Sequence, residues 1–261
     1  MLRDASVVAR RNLIRIRRVP DVMVFVLLQP LMFVLLFAYV FGGSIDIPGG
    51  SYREFLMAVI FAQTVVFGAT FTGSGLAEDL QKGLINRFRS LPMSRSAVVA
   101  GRTASDVVYN ALSIVVMSAA GLAVGWRIHG SVLDTVVGYS LLLFFSYSFS
   151  WVMACIGLLV STPEVVNNAS FMVLFPMTFI ANTFVPSDNL PGTLRTIAEW
   201  NPVSTLTHAV RERFGNIPAG TPDASSWPLR NSLLYTLVWA AMFVAVFAPV
   251  ATRLYRRAGS R

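Results

Sequence analysis

Few residues in this chain are placed to do covalent chemistry. The histidines, His129 and His208, lack the paired spacing of a metal site, and each reads as an ordinary surface or interfacial residue. The single cysteine, Cys155, lies in an apolar stretch, cannot form an intrachain disulfide and reads as a small buried side chain. No G-x-x-x-x-G-K-[ST] phosphate loop occurs, so the chain is not expected to hydrolyse ATP itself. Gly73-Ser74-Gly75 is not a nucleophile elbow, because the G-x-S-x-G spacing is missing. No cluster of His, Cys and carboxylate suggests a metal. An enzyme acting on membrane lipid therefore finds no catalytic set here.

The chemistry on offer is docking. Residues 78–102 (EDLQKGLINRFRSLPMSRSAVVAGR) hold five of the 21 Lys and Arg: Lys82, Arg87, Arg89, Arg95 and Arg102. Glu78 and Asp79 open the stretch, where a helix dipole favours acids. Leu80, Leu84, Phe88 and Leu91 follow a spacing of 4, 4, 3, which predicts one apolar helical face. Lys82 and Arg89 face away from it, and Pro92 ends it. Such a helix would lie on lipid or fit a groove on a soluble partner.

The segments around this stretch are apolar. The chain is 55% hydrophobic and 13% charged, against about 25% charged in an average soluble domain. Six stretches approach the roughly 20 apolar residues needed to cross a bilayer: 22–42, 55–76, 104–125, 135–160, 165–185 and 232–252. The predicted fold is an all-α integral membrane domain spanning 1–261, with six transmembrane helices. It divides into 1–21, spans 1 and 2 over 22–76, a loop over 77–102, spans 3 to 5 over 103–185, an outer helical segment over 186–230, and span 6 with its tail over 231–261. In residues 2–18, Ala5, Ala9, Leu13 and Ile16 share one face and Arg3, Arg10 and Arg17 another, which predicts an amphipathic helix on the membrane surface. The run 22–41 exceeds the h-region of a signal peptide, about 7–15 residues, and reads as a retained first span. In the outer segment, Asn201-Pro202 is a helix start, Val203, Leu206, Val210 and Phe214 keep helical spacing, and Gly215 closes it. A shorter helix is expected around 191–199.

The net charge of +8 invites a nucleic-acid reading, but its distribution argues otherwise. Six Arg precede span 1, five basic residues separate spans 2 and 3, and Arg253, Arg256, Arg257 and Arg261 close the chain. Basic residues hold short loops in the cytoplasm. The expectation is a multi-pass protein of the cell membrane with both termini cytoplasmic. The span centres lack Asp, Glu, His and Lys, which disfavours an ion-coupled secondary transporter. Asp106 stands at the start of span 3 and Asn110 lies one turn further on. Phe171, Phe175 and Phe179 recur every four residues in span 5 and form a stripe.

Three runs carry a resemblance. Leu84-Ile85-Asn86-Arg87-Phe88-Arg89-Ser90-Leu91-Pro92-Met93 resembles the loop between the second and third helices of ABC-2-type export permeases. Asn201-Pro202-Val203-Ser204 and Arg211-Glu212-Arg213-Phe214-Gly215-Asn216 resemble the segment before the last helix in the daunorubicin/doxorubicin-resistance group of that family. The resemblance implies a permease subunit without an ATPase site of its own. It would dimerise and pair with separate ATP-binding cassette subunits, which bind the ATP and Mg. It further implies that Glu78, Asp79, Leu84, Arg87, Phe88, Arg89 and Pro92 form a coupling element, with residues 2–18 as its neighbour. The exported substrate would be lipophilic or amphipathic and drug-like; a lipid or glycan remains open. Gln63, Phe67, Phe171, Phe175 and Asn182 are the candidate lining of its path, an aromatic and nearly uncharged one.

Overall fold

The computed structural model describes residues 28, 30–41, 50–84, 95–160, 162–181, 191–218, 220, 221, 224 and 226–258. They form helices and short turns. An apolar helix, Pro30–Val40, comes first and runs into a π turn at Phe37–Phe41. There follow α1 (Tyr52–Gly68), α2 (Thr70–Gln81), α3 (Arg95–Ala123), α4 (Val132–Leu159), α5 (Pro163–Ile180), α6 (Gly192–Trp200), α7 (Pro202–Arg213), α8 (Trp227–Arg230) and α9 (Ser232–Ala258). The expected surface helix 2–18 lies outside the described residues.

Four described helices are long and apolar enough to cross a membrane: Tyr52–Gln81, which joins α1 to α2, Ala97–Ala123 within α3, Val132–Leu159 and Ser232–Ala258. Of the two other expected spans, 22–42 is described mainly as Pro30–Val40. The other, 165–185, is α5, where Glu164, Asn167, Asn168 and two prolines dilute the apolar run. Thus the all-helical class and four membrane-length helices stand.

Helix ends follow local rules. The Ser131 hydroxyl accepts from Asp134 N–H at 3.1 Å to start α4, and Thr162 accepts from Val165 N–H at 3.4 Å to start α5. Asn201 accepts from Val203 N–H at 2.9 Å, with Pro202 at the first helical position of α7. Each cap satisfies an N–H that has no partner within its helix. Gly215, at φ 67°, ends α7 as its position after the helix requires.

Two expectations about the loop 77–102 are corrected. The helix containing Glu78 and Asp79 does not start there; they lie in the last turns of α2, an extension of the second span. It stops at Gln81, and Gly83 takes φ 65°, a left-handed backbone that turns the chain. Leu80 and Leu84 therefore do not share one continuous helix. At the other end, α3 begins at Arg95, so Arg102 and Asp106 fall inside a span rather than in a loop and at its edge.

The helix α4 stands in the middle, packed against α9, α2, α3, α7 and α1. Although Leu133, Val136 and Phe144 stay exposed along one stripe, its sequence is predominantly apolar and much of it is buried. By contrast α9 leaves Leu234, Leu237, Val238, Met242, Val246 and Val250 exposed, a face suited to lipid. At the end of the molecule bearing α7, Phe61, Trp126, Tyr139 and Phe214 make an edge-to-face cluster with centroids 5.0–6.1 Å apart. Toward the ends of α2 and α9, Leu76, Val98, Val99, Trp151, Ala154, Leu158, Ala251 and Tyr255 form a second core. Cys155 belongs to it, buried, with its thiol 3.5 Å from Phe247 O.

The helix α7 plugs into this frame. Val203, Leu206, Ala209 and Val210 are fully buried between α1, α4 and α9. Arg211 is buried too, lying 3.6 Å over the Phe55 ring and donating to Phe55 O at 3.1 and 3.3 Å. Burial lowers its pKa to about 9, which leaves it a cation at neutral pH. It sits in the last turn of α7, where the helix dipole favours positive charge.

Candidate functional site

The helix Pro30–Val40, the α1–α2 junction, α3 and α5 enclose a cleft of about 410 Å³. Its wall is aromatic, with Phe33, Phe67, Phe71, Tyr109, Phe171, Phe175 and Phe179. The α5 phenylalanines form a ladder because residues four apart share a helix face. Ring centroids are 5.1 Å apart from Phe171 to Phe175 and 4.1 Å from Phe175 to Phe179. The three remain 40–53% exposed along the cleft. Phe67 faces Phe171 at 6.3 Å, and Phe71 meets Tyr109 edge-on at 5.1 Å.

None of the lining residues is ionised at neutral pH. Several of the polar groups are already engaged. Thr64 donates to Ile60 O and Thr70 to Phe67 O, both at 2.7 Å, and Ser113 donates to Tyr109 O at 3.2 Å. Asn110 donates to Asp106 O at 3.0 Å and to Ser146 Oγ at 2.8 Å. A neutral, aromatic cleft of this size suits a lipophilic ligand.

Four of the five residues expected to line a path, Gln63, Phe67, Phe171 and Phe175, come together in this wall. The fifth, Asn182, lies outside the described residues. Sequence reasoning passed over Phe71, Tyr109, Asn110 and Phe179 as lining residues. Phe179 continues the α5 stripe and Phe71 lies one turn beyond Phe67, so both carried a signal. Tyr109 and Asn110 carried none, since their helix face is set by tertiary packing.

Below the cleft, α2 is the point of attachment for three helices. Gly73 meets α4 so closely that a Cβ on Gly157 would lie 2.1 Å from Gly73 O. Ser74 donates to Asn167 Oδ1 on α5 at 2.6 Å. Gly75 leaves the notch in which the Arg102 guanidinium of α3 lies. Arg102 reaches Asp79 Oδ2 and Phe71 O, each at 3.5 Å. Thr72 donates to the buried Asp106 carboxylate. These bonds fasten α2 to α3 on either side of residues 82–94, which connect them.

Of the expected coupling residues, Asp79 is thus buried in the α2–α3 contact, whereas Glu78 pairs with Lys82 at 2.5 Å on the surface. Leu84 follows the turn at Gly83 and is partly buried. Arg87, Phe88, Arg89 and Pro92 lie outside the described residues.

The chain matches the family described as ABC-2 type transporter over residues 4–214. It is 34% identical over 246 residues to the daunorubicin resistance ABC transporter permease protein DrrB1 of Streptomyces coeruleorubidus, covering 94% of this chain and 83% of that protein. It is 22% identical over 223 residues to the putative transport permease ycf38 of Pyropia yezoensis, covering 83% of this chain and 76% of that one. The ycf38 permease of Cyanophora paradoxa is 21% identical over 236 residues, covering 89% and 78%. A bundle of membrane-length helices, and a family match spanning most of its length, place this chain in the ABC-2 type transporter family.

Proposed function

We propose that this chain is the membrane-spanning permease subunit of an ATP-driven exporter, moving a lipophilic or amphipathic, drug-like substrate out of the cell. The observation that carries this reading is the uncharged aromatic cleft beside the α1–α2 junction, on the helix pair whose far end leads into residues 82–94. A separate ATP-binding cassette subunit would dock on those residues from the cytoplasm, with Arg87, Phe88, Arg89 and Pro92 in contact. Its closure on ATP would push α2, and α2 would carry α3, α4 and α5 through the contacts at Gly73, Ser74 and Gly75. The cleft would then change shape between two states that ATP biases. In this reading six helices cross the membrane, both termini are cytoplasmic, and two permease copies or paralogues form the transporter. The drug-like class rests on the relative named for daunorubicin resistance and on the neutral aromatic wall; a lipid or glycan is the alternative cargo within the same transporter class.

The test is reconstitution with an ATP-binding cassette protein into inside-out vesicles. ATP-dependent uptake is expected. Phe88→Ala and Arg87→Glu are expected to lower transport severalfold while ATP hydrolysis continues. Normal transport in both variants would remove the coupling assignment, and failure to co-purify with any such ATPase would remove the exporter reading.

One observation favours a second reading. Asp106 is an acid buried inside a membrane-length helix, which is where an ion-coupled secondary transporter would place a proton site. Asp106→Asn separates the two: proton-driven uptake would vanish, whereas ATP-driven export would persist.

A further inference from the structure

Gln63 is the lining side chain whose polar groups stand idle within reach of the open cleft. Among the described residues its amide has no hydrogen-bond partner, and the side chain is half-buried in the wall. The other cleft groups with spare capacity are placed differently. Asn110 Oδ1 and the Tyr109 hydroxyl are also unpartnered, but both atoms are sealed beneath the surface. Asn110 Oδ1 lies against Gly68, where even a methyl group would come within 2.0 Å of it. The hydroxyls of Thr64, Thr70 and Ser113 are turned back onto carbonyls of their own helices.

A primary amide presents a donor and an acceptor side by side. It sits four residues before Phe67, which is about 6 Å along a helix. Phe67 in turn faces Phe171. A flat ring held against Phe67, Phe171 and Phe175 would therefore bring a substituent at its edge to the Gln63 amide. An idle amide in an apolar wall penalises a ligand that covers it without pairing to it. It thus selects among neutral aromatic ligands rather than adding to all of them.

We infer that Gln63 is the specificity-determining residue of the cleft, reading an adjacent hydrogen-bond donor and acceptor, such as a carboxamide or hydroxy-ketone, on a neutral aromatic substrate. The inference rests on the cleft being the substrate site. A charged substituent has no counter-ion among the lining residues and is discriminated against.

The test uses the full chain in lipid nanodiscs and two fluorescent probes, pyrene and 1-pyrenecarboxamide, with empty nanodiscs subtracted for lipid partition. The wild type is expected to bind the carboxamide about fivefold to tenfold more tightly than pyrene, the worth of one or two hydrogen bonds. Gln63→Leu should erase that preference, weakening the carboxamide and tightening pyrene, which no longer covers an unpaired amide. Gln63→Met serves as a second variant should the first not fold. Phe171→Ala should weaken both probes alike. Loss of both probes in the Gln63 variants, a preference that survives them, or no preference in the wild type would overturn the role of Gln63 while the Phe171→Ala result upholds the cleft. Unchanged binding of both probes to Phe171→Ala would overturn the cleft reading itself, and the role of Gln63 with it.

Discussion

Three consecutive small residues, Gly73, Ser74 and Gly75, each meet a different helix, and their size is what the contacts require. The sharpest limit is at Gly157, where an added Cβ would meet backbone rather than a flexible side chain. Gly157→Ala is expected to cost about 1–3 kcal/mol of stability through overpacking. The check is a lower thermal midpoint in detergent, and an unchanged midpoint would mean that α2 and α4 can part without penalty. His208 gives a second residue-scale prediction. It lies on α7, its Nδ1 is buried without a partner among the described residues, and burial first, then the nearby Arg211 charge, hold its pKa below the ordinary value. The unfolded chain takes up a proton near pH 6.5, where the folded chain resists it. Stability should therefore be full above that pH and fall as pH drops through it toward the lower folded value. Thermal midpoints between pH 8 and pH 5 should show the decline, and His208→Gln should flatten it.

At the scale of elements, α7 is readable and the turn that ends α2 is not, for opposite physical reasons. Asn201, Pro202 and Gly215 act on backbone groups next to them, so their meaning survives without knowledge of the fold. Asn201 also donates to Met177 O on α5 at 2.7 Å, which ties the start of α7 to a neighbour. Asn201→Ala should cost about 1–2 kcal/mol, at the upper end for a lost cap; a thermal midpoint equal to that of the wild type would show the cap to be redundant. Leu80, Leu84, Phe88 and Leu91 keep a perfect helical rhythm, yet Gly83 interrupts it, because periodicity registers side chains and not the backbone angle of a glycine. The sequence puts Arg102 and Asp106 near the edge of a span because charge reads as a boundary, whereas both lie inside α3. Their partners, Asp79 and Thr72, lie on another helix, and no one-dimensional pattern shows that pairing. The cleft was half legible on the same grounds. The α5 stripe and Gln63 with Phe67 repeat along single helices, whereas Tyr109 and Asn110 reach the wall only through the way α3 packs.

At the scale of the molecule, the orientation expected from the distribution of basic residues can be tested with the chain's lone, buried cysteine left in place. Ser6→Cys and Ser260→Cys should react with a membrane-impermeant maleimide only from the cytoplasmic side, and Ser225→Cys only from outside. Labelling of Ser6→Cys from outside would invert the topology. The buried Arg211 bears on how such a molecule comes to be made. Its charge rests on the Phe55 ring and carbonyl, both supplied by α1. A newly made α7 has neither within itself, and a bare guanidinium is rejected by hydrocarbon. Its docking must therefore wait for α1, and the molecule is closed by a step that biosynthesis orders in time. A chain from which Tyr52–Gly68 is deleted would leave Arg211 without the Phe55 ring and carbonyl, and α7 stranded as an open intermediate that cellular quality control could recognise by its unshielded cation.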